Sequence, residues 1–168
     1  MLLYCIQTIG IQTMADTSLF ENRLGILIWK TSNFWQSSLR KILVSYNVSL
    51  NEYLVHQSLK YLSIKKTDIF QNQIGEFIGI DISVTSVTLK LLESKKYISR
   101  ETKHDNRKKI IKILKKRDDL YKLLYPMIEK EEERLFNKLD NETFNFINSL
   151  KLLLGKKIRI KAKKINQI

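Results

Sequence analysis

The sequence predicts a mainly α-helical protein carrying one small β-hairpin, with elements in the order α-α-α-α-β-β-α-α. Three observations carry that expectation. Apolar residues recur at spacings of three and four over most of the chain, the period of a helix buried on one face. A single stretch, Tyr97 to Leu114, is rich in β-forming residues around a polar turn. Proline occurs once in 168 residues, so little interrupts the helices.

Residues 1–17 read as a leader of low order, with Met14 an alternative start. Met1 to Thr13 has neither a basic opening nor a small-residue cleavage site, so it is not read as a signal peptide. Ser18 suits the cap of a first long helix, 18–48, whose face is Phe20, Leu24, Leu27, Ile28, Phe34, Trp35, Leu39, Ile42 and Tyr46. About seven turns exceed what a small domain can cover, so part of this face is expected on a second subunit. Ser49 caps a second helix, Leu50 to about Leu62, with Leu54, Leu59 and Leu62 inward and His56 among them.

A third helix is expected over Asp68 to Ile78 and a fourth from Ile82 to about Ser94. Gly79 between them suits the left-handed end of one helix, and Asp81 the N-cap of the next. Val84, Val87, Leu91 and Leu92 are taken as the inward face of the fourth. Two short helices joined by a glycine-containing turn form a helix-turn-helix pattern. The hairpin follows, its strands within Tyr97 to Thr102 and Lys108 to Leu114 and its polar tip at Lys103 to Arg107. Residues 49–114 are thus read as one domain.

Residues 115–157 supply two further helices. Pro126 is expected to kink the first. Asp140 and Asn141 start the second, and Gly155 closes it ahead of Lys156 and Lys157, which suit the negative end of its dipole. Residues 158–168 form a basic tail.

Charge narrows the function. Thirty Lys and Arg against 17 Asp and Glu leave a net charge of +13, which favours a polyanionic partner. Lys95 to Lys122 holds twelve of these cations against four acids. One cysteine, Cys5, excludes an internal disulfide framework. His56 and His104 belong to no cluster with metal-ligand spacing, so neither metal nor cofactor is expected. Neither a glycine-rich phosphate loop nor a nucleophile elbow occurs, so an enzyme is not expected. No apolar run reaches the roughly 18 residues of a membrane span, and a cytoplasmic location is expected.

The stretch from Gln73 to Arg100 resembles the helix-turn-helix pattern of the MarR (multiple antibiotic resistance regulator) family of bacterial winged-helix transcription factors. Asp105-Asn106-Arg107 is similar to that family's D-x-R wing signature, and Leu139-Asp140-Asn141-Glu142 to the start of its closing dimer helix. The likeness spans about Phe20 to Lys157. Three departures stand out. Gly75 replaces an alanine, Lys96 stands where glycine is common, and Phe70 replaces a polar cap, which would let the third helix begin near Thr67 or Asp68.

The resemblance implies a winged helix-turn-helix flanked by long N- and C-terminal dimerisation helices. It implies a homodimer on pseudo-palindromic double-stranded DNA, with recognition helices about 34 Å apart in successive major grooves. Ser83, Thr85, Ser86, Thr88 and Lys90 would face the DNA from the recognition helix. Arg100, Lys103, His104, Asp105, Asn106, Arg107, Lys108 and Lys109 would do so from the wing, with Arg107 in the minor groove. A small aromatic effector is implied as well, in a cleft among Phe34, Trp35, Tyr53 and Tyr61. Two other readings use the same fold: a protein-interaction module served by the acidic Glu129 to Glu133 segment and the basic tail, and an architectural or anti-repressor protein of low DNA specificity.

Overall fold

The computed structural model describes residues 23–103, 105–115 and 118–157, with the side chains of 103–108 excepted. The leader, the Ser18 cap, Phe20, His104 and the basic tail fall outside the described residues. The chain divides into two units, Met1–Ser37 and Ser38–Ile168. The first helix, α1 (Leu24–Val44), runs through that division. In the first unit its Leu24, Leu27, Ile28, Trp29 and Phe34 are exposed. In the second its Leu39 and Leu43 are wholly buried.

Helix α2 (Leu50–Lys65) starts on a reciprocal cap. Ser49 Oγ accepts from the Glu52 N–H at 3.2 Å, and Glu52 Oε2 accepts from the Ser49 N–H at 2.8 Å. Leu50, Tyr53, Val55, His56, Leu59 and Leu62 enter the core. Tyr53 and His56 meet α5 (Asp119–Phe136), which buries Tyr121, Leu124, Ile128 and Leu135. The His56 ring stacks on Tyr121 at 3.6 Å, and its Nδ1 lies 2.8 Å from the Tyr125 hydroxyl. Helix α5 continues through Pro126 as one helix.

Helix α3 (Gln71–Ile78) starts later than Asp68, which corrects the expectation of an early start. The cause is the hairpin. The carbonyl of Ile69 accepts from the Ile111 N–H at 2.9 Å, which holds that backbone against a strand. Phe70 becomes the N-cap, and its N–H donates to Gln73 Oε1 at 3.1 Å. Gly79 ends α3 at φ +76°, as expected. Gly75 is needed for a different reason: a Cβ there would stand 3.2 Å from both Ile80 O and Thr85 Oγ1, where α3 meets α4 (Ile82–Ser94).

The phase of α4 differs from the one expected. Its buried residues are Thr85, Thr88, Leu89 and Leu92, whereas Val84, Val87 and Leu91 are exposed. The threonines tolerate burial because each hydroxyl donates back along the helix, Thr85 to Asp81 O at 2.9 Å and Thr88 to Val84 O at 2.8 Å. The turn after α4 is made without glycine: Lys96 itself adopts φ +60°. Strands β1 (Ile98–Lys103) and β2 (Asp105–Ile113) then pair antiparallel, Ile98 opposite Ile113 and Thr102 opposite Lys109. The regular register ends at Thr102 and Lys109, where the pairing shifts. After α5, a 3-10 turn (Asn137–Glu142) leads into α6 (Thr143–Leu153), which buries no residue. Helix α6 therefore starts after Asp140 and Asn141, which lie in the turn.

Candidate nucleic-acid interface

The α3–turn–α4 pair and the hairpin form one continuous surface. Asp81 caps α4, its Oδ1 accepting from the Ser83 N–H at 2.7 Å and the Ser83 hydroxyl at 2.5 Å. These bonds hold the Asp81 carboxyl below its usual range. At 100° per residue, the centre of the outer face of α4 falls on Ser83, Val87 and Lys90. Val84 and Leu91 flank it on one side and Ser86 on the other.

The residues expected to meet DNA from this helix therefore separate. Lys90 and Ser83 are exposed and Ser86 is half-buried. Thr85 and Thr88 are buried and turned inward, which removes them from the outer face. Val84 and Val87 take their place, and their outward position was missed in the sequence. The helix carries apolar and hydroxyl residues in overlapping periods, so either face passes for the core. One signal did exist: Thr85 lies over Gly75, whose missing side chain makes the close approach possible.

On the wing, Arg100 is not a free cation. Its Nε donates to Glu93 Oε2 at 2.8 Å and a terminal nitrogen joins the same oxygen. This pairing holds the Glu93 carboxyl below its usual range and ties β1 to α4. Lys112 pairs with Glu101 across the hairpin at 2.6 Å. Lys109 is exposed. The side chains of Lys103, His104, Asp105, Asn106, Arg107 and Lys108 lie outside the described residues, though all but His104 are placed on the two strands.

A cleft of about 620 Å³ opens where the starts of α3 and α4 face the hairpin. Gln71, Asn72 and Gln73 line it with Ile82, Arg100 and Lys109. Gln71 Nε2 also donates to Ile82 O at 3.3 Å. Amide side chains and a cation at the N-terminus of α3 are suited to phosphate oxygens.

The residues assigned to an effector cleft are not gathered by the second unit. Tyr53 is buried in the core, its ring edge-on to Tyr125 at 5.9 Å. Tyr61 is at the surface, stacked on Phe77 at 4.9 Å with Lys65 bonded to its hydroxyl. Phe34 and Trp35 belong to the first unit. A separate cleft of about 590 Å³, lined by Arg40, Val44, Val48, Glu52, Leu91 and Lys95 among others, lies between α2 and the end of α4. There Lys95 bridges Glu52 at 2.6 Å and Asn47 O at 3.0 Å.

Four packed helices with a paired hairpin beside the second helix of a helix-turn-helix define a winged-helix protein. Comparison with known proteins narrows the class. No family model matches the chain. An HTH-type transcriptional regulator of Bacillus subtilis, YdcH, itself uncharacterised, is 23% identical over 131 residues, 77% of this chain and 88% of that protein. A MarR-family transcriptional regulator from Rhodococcus sp. RHA1 superposes with a TM-score of 0.67 at 17% identity, covering 82% of this chain and 96% of the other. BpsR of Bordetella bronchiseptica, whose DNA binding is regulated by 6-hydroxynicotinic acid, superposes at 0.68 with 13% identity, covering 83% and 98%. The fold is that of the MarR-family transcriptional regulators, which the pattern from Gln73 to Arg100 resembles.

Proposed function

We propose that the chain is a homodimeric transcriptional regulator that binds pseudo-palindromic double-stranded DNA, with α4 in the major groove and the wing beside it. The observation that carries this reading is the exposed outer face of α4 next to a paired hairpin whose 103–109 segment holds Lys103, Arg107, Lys108 and Lys109 against Asp105. Ser86 and Lys90 act from the helix, and Arg107 enters the minor groove. The wing lysines and His104 meet phosphate. Arg100 braces the wing through Glu93 instead of reading bases. The reading makes the protein a cytoplasmic regulator and not an enzyme; no described helix is long and apolar enough to cross a membrane.

The dimer reading rests on α6, in which no residue is buried, and on the exposed apolar residues of α1. Control by a small aromatic effector is supported by BpsR, which responds to such a molecule. Selection of duplexes from a random pool, followed by footprinting, tests the whole proposal. Two protected half-sites about one helical turn apart are expected. Arg107→Ala should weaken binding, and log affinity should fall steeply with log salt. A folded dimer that enriches no duplex sinks the reading. The architectural alternative is favoured by one observation, the internal bonding of the α4 hydroxyls; a low ratio of specific to non-specific affinity is its signature.

A further inference from the structure

The hydroxyl groups of α4 are largely engaged inside the helix. Ser83 donates to the Asp81 carboxylate, Thr85 to Asp81 O and Thr88 to Val84 O. Among the residues that the helix shows outward, beside Ser83 and Lys90, are two valines. Val87 is 66% exposed and stands at the centre of the outer face, with Val84 at 38% beside it. Folding does not explain this choice, because valine is a weak helix former and little of Val87 is buried.

We propose that Val84 and Val87 seat the C5-methyl groups of thymines in the major groove, so that α4 selects thymine-containing half-sites by apolar contact. This deepens the DNA-binding reading above and rests on it. The occupant follows from what surrounds the valines. Lys90 shares their face, exposed Lys109 stands on the neighbouring hairpin, and the chain carries a net charge of +13, so the partner is a polyanion. The thymine methyl is the one apolar group that base edges present in the major groove. Residues near the start of a recognition helix are the ones that reach base edges, and Val84 and Val87 lie in the first two turns of α4. The Asp81 carboxylate occupies the α4 N-terminus and disfavours phosphate there, which leaves base edges to meet the first turns. Leu91, a turn later, lines the cleft toward α2 and is left out of the contact.

The test uses the full-length protein and the duplex recovered by selection. Each half-site thymine is replaced in turn by deoxyuridine, which deletes the methyl alone, and affinity is measured at fixed salt. Binding should weaken about fourfold at each contacted position and stay level elsewhere. Val87→Ala should weaken binding to the thymine duplex and abolish the thymine preference at one position, with its melting temperature not lowered. Val84→Ala should do the same at a neighbouring position. A wild-type protein that binds the duplex with equal affinity for thymine and uracil at every position overturns the methyl reading alone. So does a Val87→Ala variant that keeps full discrimination. A folded protein that binds no duplex overturns this inference and the DNA-binding reading together.

Discussion

Helices α2 and α6 have similar sequence patterns and opposite fates. Both place apolar residues at helical spacing. Helix α2 buries Tyr53, Val55, His56, Leu59 and Leu62 against its own chain, whereas α6 leaves Phe144, Ile147, Leu150, Leu152 and Leu153 exposed. Periodicity shows that a face is apolar; it does not say which chain covers it. The contrast breaks along a measurable line. Leu59→Ala deletes a fully buried side chain and should cost about 3 kcal/mol in urea unfolding at any protein concentration. Leu150→Glu with Leu153→Glu should leave the subunit folded by circular dichroism and weaken self-association more than tenfold by sedimentation. If the double variant unfolds the subunit and leaves association intact, α6 is an internal helix and the dimer reading fails.

Within α2, His56 sharpens the comparison, because it is a titratable group in the best-covered part of the chain. Its ring has no exposed surface, and burial pushes its pKa down to about 4. Asp118, 3.5 Å from Nε2, partly opposes that fall, and Lys60 adds to it. Tyr121 stacks on the ring and Tyr125 bonds Nδ1. The unfolded chain takes up the proton near pH 6.5 and the folded chain only near 4. Stability from the neutral ring is complete above about pH 6.5, declines as pH falls between those values and levels off below. The total is on the order of 3 kcal/mol. Urea unfolding of wild type and His56→Gln across pH 4 to 7 measures it: the variant should be less stable at pH 7 and nearly flat with pH. Parallel slopes in the two proteins would locate the effect elsewhere.

The elements readable in the sequence were those with a local chemical cause. Ser49, Gly79 and Asp81 each form the cap that their own side chain or φ angle requires. Three features depend on distant residues and could not be read locally. Helix α3 begins at Gln71 because Ile69 is bonded to Ile111, 42 residues on. The α4 phase was misassigned because buried threonine is tolerable only where the hydroxyl returns to the helix and Gly75 makes room. Tyr53 and Tyr61 looked alike as cleft residues, yet one meets Tyr125 and the other Phe77, contacts set by helix packing.

The two ends of α4 give the smallest expected effect. Both adjoin residues in the left-handed region, Gly79 at φ +76° before the helix and Lys96 at φ +60° after it. Glycine takes that conformation at little steric cost, whereas a side chain costs roughly 1 kcal/mol. Lys96 is held there by its N–H to Glu93 O at 2.9 Å and by the next N–H, from Tyr97 to Leu92 O, also at 2.9 Å. Both bonds are backbone bonds that survive substitution. Lys96→Gly should therefore raise stability by up to about 1 kcal/mol, the unfolded-state entropy of glycine offsetting part of the gain. Gly79→Ala should lower it by a comparable amount. Thermal unfolding of the two variants at one protein concentration reads both. A Lys96→Gly variant less stable than wild type would show that the side chain contributes more to the turn than its backbone angle costs.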